Sequence, residues 1–214
     1  MLKGPQTKTF LPMLATYVAA FLKEPSIPPN PDPFESNLAR WEEYIGGYQE
    51  NRTEAAKRIR ECQQTQATEL DLSKLNLGGL PPVIGSLTQL RTLNLSYNKL
   101  QSMPADLSQF SNLTELYLDH NCFTDVPGFV SQLSNLTTLN LADNWLQRLP
   151  DSIPSLTNLQ TLDLSNNQLM SVPSDIGSLD RLRRLDLRNN WLSTSSLAAL
   201  EALPSSCTIV LQER

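Results

Sequence analysis

Six stretches of this chain repeat one pattern at a fixed spacing, and no other feature constrains its fold as strongly. Blocks beginning at Ala67, Leu90, Leu113, Leu136 and Leu159 are each 23 residues long, and a sixth begins at Leu182 and then departs. Two of them read LRTLNLSYNKLQSMPADLSQFSN and LTTLNLADNWLQRLPDSIPSLTN. The common frame is L-x-x-L-x-L-x-x-N-x-L followed by a proline. A period of this length marks a unit that cannot bury its apolar face alone and must stack on its neighbours. The alternation L-x-L predicts a short strand with leucines on one side. Stacked in register, such strands form a parallel sheet and their leucines one continuous core. Pro81, Pro104, Pro127, Pro150 and Pro173 begin the return path, where I-G-S-L at 84–87 and 176–179 predicts a turn of helix or 3₁₀ structure.

The frame's asparagine falls at Asn98, Asn121, Asn144, Asn167 and Asn190, and block one has Leu75 there. An asparagine carries two donors and an acceptor, so it can bond backbone groups at the bend leaving each strand. These five predict an asparagine ladder. An open solenoid would expose a sheet edge and a slab of leucines, so both ends need caps. Before the repeats, helices are predicted near Asn37–Ile45, stopped by Gly46-Gly47, and near Arg52–Gln64. Asn51 with Glu54 resembles a capping box, and Ala55, Ile59 and Cys62 share one face. At the far end Ser195–Ala202 reads as a helix and Cys207–Leu211 as a closing strand.

The frame matches the leucine-rich-repeat consensus. The fold expected is an α/β solenoid, a horseshoe with the parallel β-sheet on its concave face and an α-helical N-terminal cap. Four divisions are expected. Residues 1–35 form a flexible leader and proline-rich linker, 36–66 the helical cap, 67–194 six repeats, and 195–214 the C-terminal cap. Within the leader, residues 9–22 are uncharged but too short to span a bilayer, which takes about 20 residues.

Net charge is −5, and residues 67–214 carry all of it, with nine basic against fourteen acidic side chains. A nucleic-acid binder needs a basic stripe, so that class is excluded. Cys62, Cys122 and Cys207 show no metal spacing, and an odd unpaired count fits a reducing compartment.

Residues between the strand leucines should project from the concave face. Aromatics gather in the middle repeats, with Tyr97, Tyr117, His120 and Trp145 accompanied by Asp119 and Asp143, and Trp191 beyond. Exposed aromatics ringed by polar groups are typical binding anchors. These seven are the candidate partner-binding residues. His120 with Asp119 and Asp143 is no metal or catalytic centre, because a metal needs three or four convergent ligands and side chains on a sheet face diverge. No cofactor is expected.

The segment 51–81 (NRTEAAKRIRECQQTQATELDLSKLNLGGLP) resembles the amino-terminal cap of the IpaH/SspH family of bacterial effector ubiquitin ligases. The resemblance rests on Asn51-Arg52, Glu54-Ala55, Glu61-Cys62, Glu69-Leu70, Leu75-Asn76-Leu77 and Leu80-Pro81. Trp41 is similar to that family's leading cap helix and LPSSCTIVL (203–211) to its closing strand. The resemblance implies a repeat domain that recognises a host protein substrate and restrains a ligase domain, injected by a bacterium and acting in host cytoplasm. The family's ligase uses a Cys-x-Asp nucleophile. No cysteine here fits it, since Cys62 precedes Gln63-Gln64, Cys122 precedes Phe123-Thr124 and Cys207 precedes Thr208-Ile209. This segment is therefore expected not to be catalytic. Family repeats are also shorter than these. A repeat-only effector or scaffold acting by binding alone stands as the alternative. A glycosylated extracellular receptor stands third, on sequons at Asn51, Asn94, Asn112 and Asn135 that the repeat consensus itself produces.

Overall fold

The structure is a computed structural model and describes residues 32–43 and 51–211. The chain divides into two units at Ser36–Asn37. The repeats and the second cap helix lie in the unit that begins at Asn37. Apart from residues 32–35, the expected leader lies outside the described residues, as do Ile45 and Gly46-Gly47.

Each of the six blocks supplies one short strand. These are β1 (Glu69–Asp71), β2 (Thr92–Asn94), β3 (Glu115–Tyr117), β4 (Thr138–Asn140), β5 (Thr161–Asp163) and β6 (Arg184–Asp186). A seventh, β7 (Thr208–Val210), closes the series, and all seven pair in parallel in chain order. The register aligns Leu70, Leu93, Leu116, Leu139, Leu162 and Leu185, with Ile209 completing the row. Leucine falls at the same place in each strand, so each buries its side chain against the next, and Leu93, Leu116, Leu139 and Leu162 are fully inaccessible.

The return path is built as the prolines predict. Short 3₁₀ turns run Pro82–Ser86, Ala105–Gln109, Gly128–Gln132, Ile153–Ser155 and Ile176–Ser178. Pro81, Pro104 and Pro127 stand immediately before three of them. A proline has no N–H to leave unsatisfied at such a start. The unit from Asn37 onward is a leucine-packed solenoid of stacked repeats, with the parallel sheet along one side and the 3₁₀ turns along the other.

Helix α1 (Pro33–Glu43) starts four residues before Asn37, because Asp32 Oδ1 accepts the Phe34 N–H (3.0 Å) and a proline is tolerated in a first turn. Helix α2 (Arg52–Thr65) buries Ala55, Ala56, Ile59 and Cys62. Only half of the capping box forms. Asn51 Oδ1 accepts the Glu54 N–H, while the Glu54 carboxylate pairs with Arg58 at 2.8 Å. The Asn51 N–H donates instead to the Leu75 carbonyl at 2.9 Å, which fastens the cap to the first repeat. Trp41 receives the Arg52 guanidinium over its ring at 5.0 Å, and Arg60 bonds Glu42 at 2.9 Å. Helix α3 (Thr194–Leu200) is started by Ser193, whose side chain accepts the Ser196 N–H. No described helix is long and apolar enough to cross a membrane.

Candidate protein-binding face

The ladder asparagines stand at the strand exits. Asn144 donates to the carbonyls of Leu118 and Leu141 (3.0 and 3.1 Å), and its oxygen accepts the Phe123 N–H at 3.0 Å. Asn98, Asn121, Asn167 and Asn190 bond in the same way, each to its own strand exit and to the repeat before it. Asn98 serves the first repeat by accepting from Leu75 and Leu77.

A second ladder was not legible in the repeat frame. Asn112, Asn135 and Asn158 donate to the carbonyls of Thr88, Ser111 and Ser134 at 2.7–2.9 Å, joining repeats on the strand-entry side. Two of these are the sequon asparagines Asn112 and Asn135, so their side-chain amides are already engaged between repeats. The signal available was an asparagine recurring one residue before the leading leucine.

The sheet presents side chains in registered rows. The first row is Glu69, Thr92, Glu115, Thr138, Thr161 and Arg184, and the second is Asp71, Asn94, Tyr117, Asn140, Asp163 and Asp186. In the second row every Asp and Asn accepts the N–H two residues on, at 2.8–3.3 Å. This local turn mimics a backbone turn and shapes the strand exit. Tyr117 breaks the series. Its hydroxyl donates to Glu115 Oε2 at 3.0 Å, and the half-buried ring occupies the middle of the sheet floor. Burial raises its pKa, helped by the Glu115 hydrogen bond and by the charges of Glu115 and Asp119.

Asp119 is the least exposed of the seven candidates. Its carboxylate accepts from Ser96 Oγ and from Asn140 Nδ2, on the repeats either side, and only 9% of the residue is accessible. Where the local turn is missing in the third repeat, this side chain ties its neighbours together instead.

The remaining candidates occupy three separate places. Tyr117 lies on the sheet floor. Tyr97, His120 and Asp143 lie on the strand-exit edge, where Lys74, Tyr97, His120, Asp143, Asn166 and Asn189 all adopt positive φ of 52–60°. There the Tyr97 and His120 rings stack at 4.0 Å, His120 Nε2 lies 3.5 Å from Asp143 Oδ2, and Lys74 Nζ sits 5.3 Å from the Tyr97 ring centre. Both faces of Tyr97 therefore have a neighbour. Trp145 and Trp191 are farther out, one residue past the ladder, 59% and 68% exposed. They are the least covered aromatic anchors.

In β6 Asp186 is fully buried, with Arg188 at 2.8 Å and Arg184 at 3.1 Å from Oδ2. Burial alone would raise its pKa, but the Arg188 hydrogen bonds and the charges of Arg188 and Arg184 prevail and lower it. Burial raises the Cys62 and Cys207 thiols. Among the described residues no group of three or more His, Cys, Asp and Glu side chains is placed to hold a metal ion.

A family model described as leucine rich repeat matches residues 65–123 and 111–169, and a second, of two repeat copies, matches 157–202. The chain belongs to the leucine-rich-repeat family. A leucine-rich-repeat protein of Leptospira interrogans is 34% identical, with a TM-score of 0.66 over 71% of this chain and 38% of its own. YopM from Yersinia enterocolitica is 26% identical, with a TM-score of 0.61 over 83% of this chain and 36% of its own. The repeat domain thus spans little more than a third of the length of these two proteins. The leucine-rich repeat domain of the type III effector XopL shares the fold, at 20% identity and a TM-score of 0.65 over 99% of this chain and 73% of its own. No curated protein matches the chain.

Proposed function

We propose that this repeat domain is the substrate-recognition arm of a secreted bacterial effector ubiquitin ligase, acting in host cytoplasm, with its catalytic domain outside this sequence. Its concave face and strand-exit flank hold a host protein. The observation that carries the recognition role is the placement of Tyr117 on the sheet floor, with Trp145 and Trp191 uncovered farther out past the ladder, all outside the leucine core. The ligase reading draws on the cap, where Asn51 of the family-like segment fastens α2 to the first repeat, Glu54 gives its N–H to Asn51 and Cys62 is buried on the inner face. The likeness to the XopL repeat domain across nearly the whole chain supports an effector setting.

The deciding experiment reads the coding frame past Arg214 and assays the native product for a ubiquitin thioester. A helical domain bearing Cys-x-Asp that forms the thioester is the expected result. A product without one makes this a repeat protein acting by binding alone. For recognition itself, Tyr117→Ala with Trp145→Ala should weaken capture of the host protein by at least about tenfold, as hot-spot aromatics do. Thermal melting should not move. Unchanged affinity would move the site to the convex side or the flanks.

A further inference from the structure

The charge on the sheet floor is one-sided and periodic. Over β1 to β5 the two central rows carry Glu69, Asp71, Glu115 and Asp163 and no lysine or arginine. All four carboxylates lie on alternate strands: two on β1, one on β3 and one on β5. The strands between, β2 and β4, present only threonine and asparagine in these rows. The arginines at Arg184 and Arg188 come at β6 and are engaged with Asp186. They end the acidic track with positive charge. Near its start, Arg58 pairs with Glu54 and reaches the Asp71 backbone carbonyl, not its carboxylate.

Alternate strands stand about 10 Å apart, two spacings of about 4.8 Å. A cationic ligand matched to the track needs charges at that interval on one side. In a polyproline-type extended segment, three residues complete a turn and rise about 9 Å, so every third side chain points the same way. A β-strand repeats its faces every two residues, about 7 Å, and falls out of step. Three cations at every third position span about 19 Å, the distance from β1 to β5. At the middle of the track the half-buried Tyr117 ring, its hydroxyl held by Glu115, offers a surface on which the central cation can rest.

We propose that the face takes an extended, polyproline-like segment of a partner protein, laid across the strands, with lysine or arginine at every third residue. This rests on the recognition role proposed above and specifies the chemistry recognised. The track discriminates by spacing as well as charge, and the arginines of β6 limit its length.

The test uses the whole chain and three labelled synthetic peptides, read by fluorescence anisotropy at low and physiological salt. One is KPPKPPKPP, one is KPKPKPPPP with the same composition, and one is QPPQPPQPP. The first should bind about tenfold more tightly than the second, weaken with salt, and outrank the glutamine peptide, which should not bind. Glu115→Gln with Asp163→Asn should reduce binding of the first by about tenfold. The fold is preserved in that variant, because Asn94 and Asn140 already make the same turn at Asp163's row position. Equal affinity for the two lysine peptides, indifference to the double substitution, or no binding at all would each overturn the proposal. If host-protein capture stays sensitive to Tyr117→Ala and Trp145→Ala when the peptides fail, only the cationic register is wrong. If capture is insensitive as well, the recognition role falls with it.

Discussion

Asn144 is buried and bonds four backbone groups, the Phe123 N–H and the carbonyls of Leu118, Leu141 and Ala142. Truncating it leaves them unpaired, and each buried orphan costs about 1–3 kcal/mol. Asn144→Ala should therefore lower the unfolding free energy by about 2–4 kcal/mol in urea titration. Asn190→Ala should cost less, since that residue is only half-buried at the end of the ladder. A buried charge gives the second prediction at this scale. The folded-state pKa of Asp186 is lowered, so the stability it lends is present above the usual aspartate value of 3.8 and is lost as pH falls through its own lower value. Replacing Arg184 and Arg188 by glutamine leaves burial in command, and the sign reverses: that variant should lose stability as pH rises. Melting curves from pH 2 to 7 check both limbs. The ladder asparagines were legible because they recur with the leucines. The fate of Asp119 was not, since its partners Ser96 and Asn140 lie 23 and 21 residues away on opposite sides. Nor were the positive-φ residues, because Lys74 and Tyr97 fill a slot that glycine or asparagine would announce.

Among the elements, the terminal helices decide whether the solenoid has sealed ends. A Cβ added at Gly177, in the last 3₁₀ turn, would lie 2.6 Å from Ala202 Cβ and 2.8 Å from its carbonyl oxygen, just past α3. Gly177→Ala should thus cost about 1–3 kcal/mol by overpacking. Adding Ala202→Gly should recover only part, because the backbone oxygen remains. A double-mutant cycle in denaturant measures both terms. The spacing of apolar residues was enough to place α2 and α3 to within a residue or two. The start of α1 was misread because the prolines before it suggested linker. A proline in a first turn has no hydrogen bond to lose, so Pro33 could open a helix that Asp32 caps.

For the molecule as a whole, stability is a sum over neighbouring repeats, and a defect in the middle weakens two interfaces. Leu141 is fully buried, and its carbonyl accepts from both Asn144 and Asn167. Leu141→Ala should lower stability by about 2–5 kcal/mol, seen as a drop in melting temperature. The parallel sheet and its register were readable at this scale because six copies of one frame admit a single way of stacking. The binding surface was less readable. A linear pattern groups Tyr97, Tyr117 and Trp145 together, whereas edge, floor and flank are set by the bend after each strand.

The direction of the ladder also gives the chain an order in time. Each asparagine oxygen accepts an N–H about 21 residues earlier, as Asn121 does from Leu100 and Asn144 from Phe123. On the ribosome, a repeat that has just emerged therefore has an unfinished bend until the next asparagine is synthesised. Assembly is set to proceed by completion from behind, each new repeat locking the one before. No asparagine follows the sixth repeat to do this, and there Ser193 turns the chain into α3 instead.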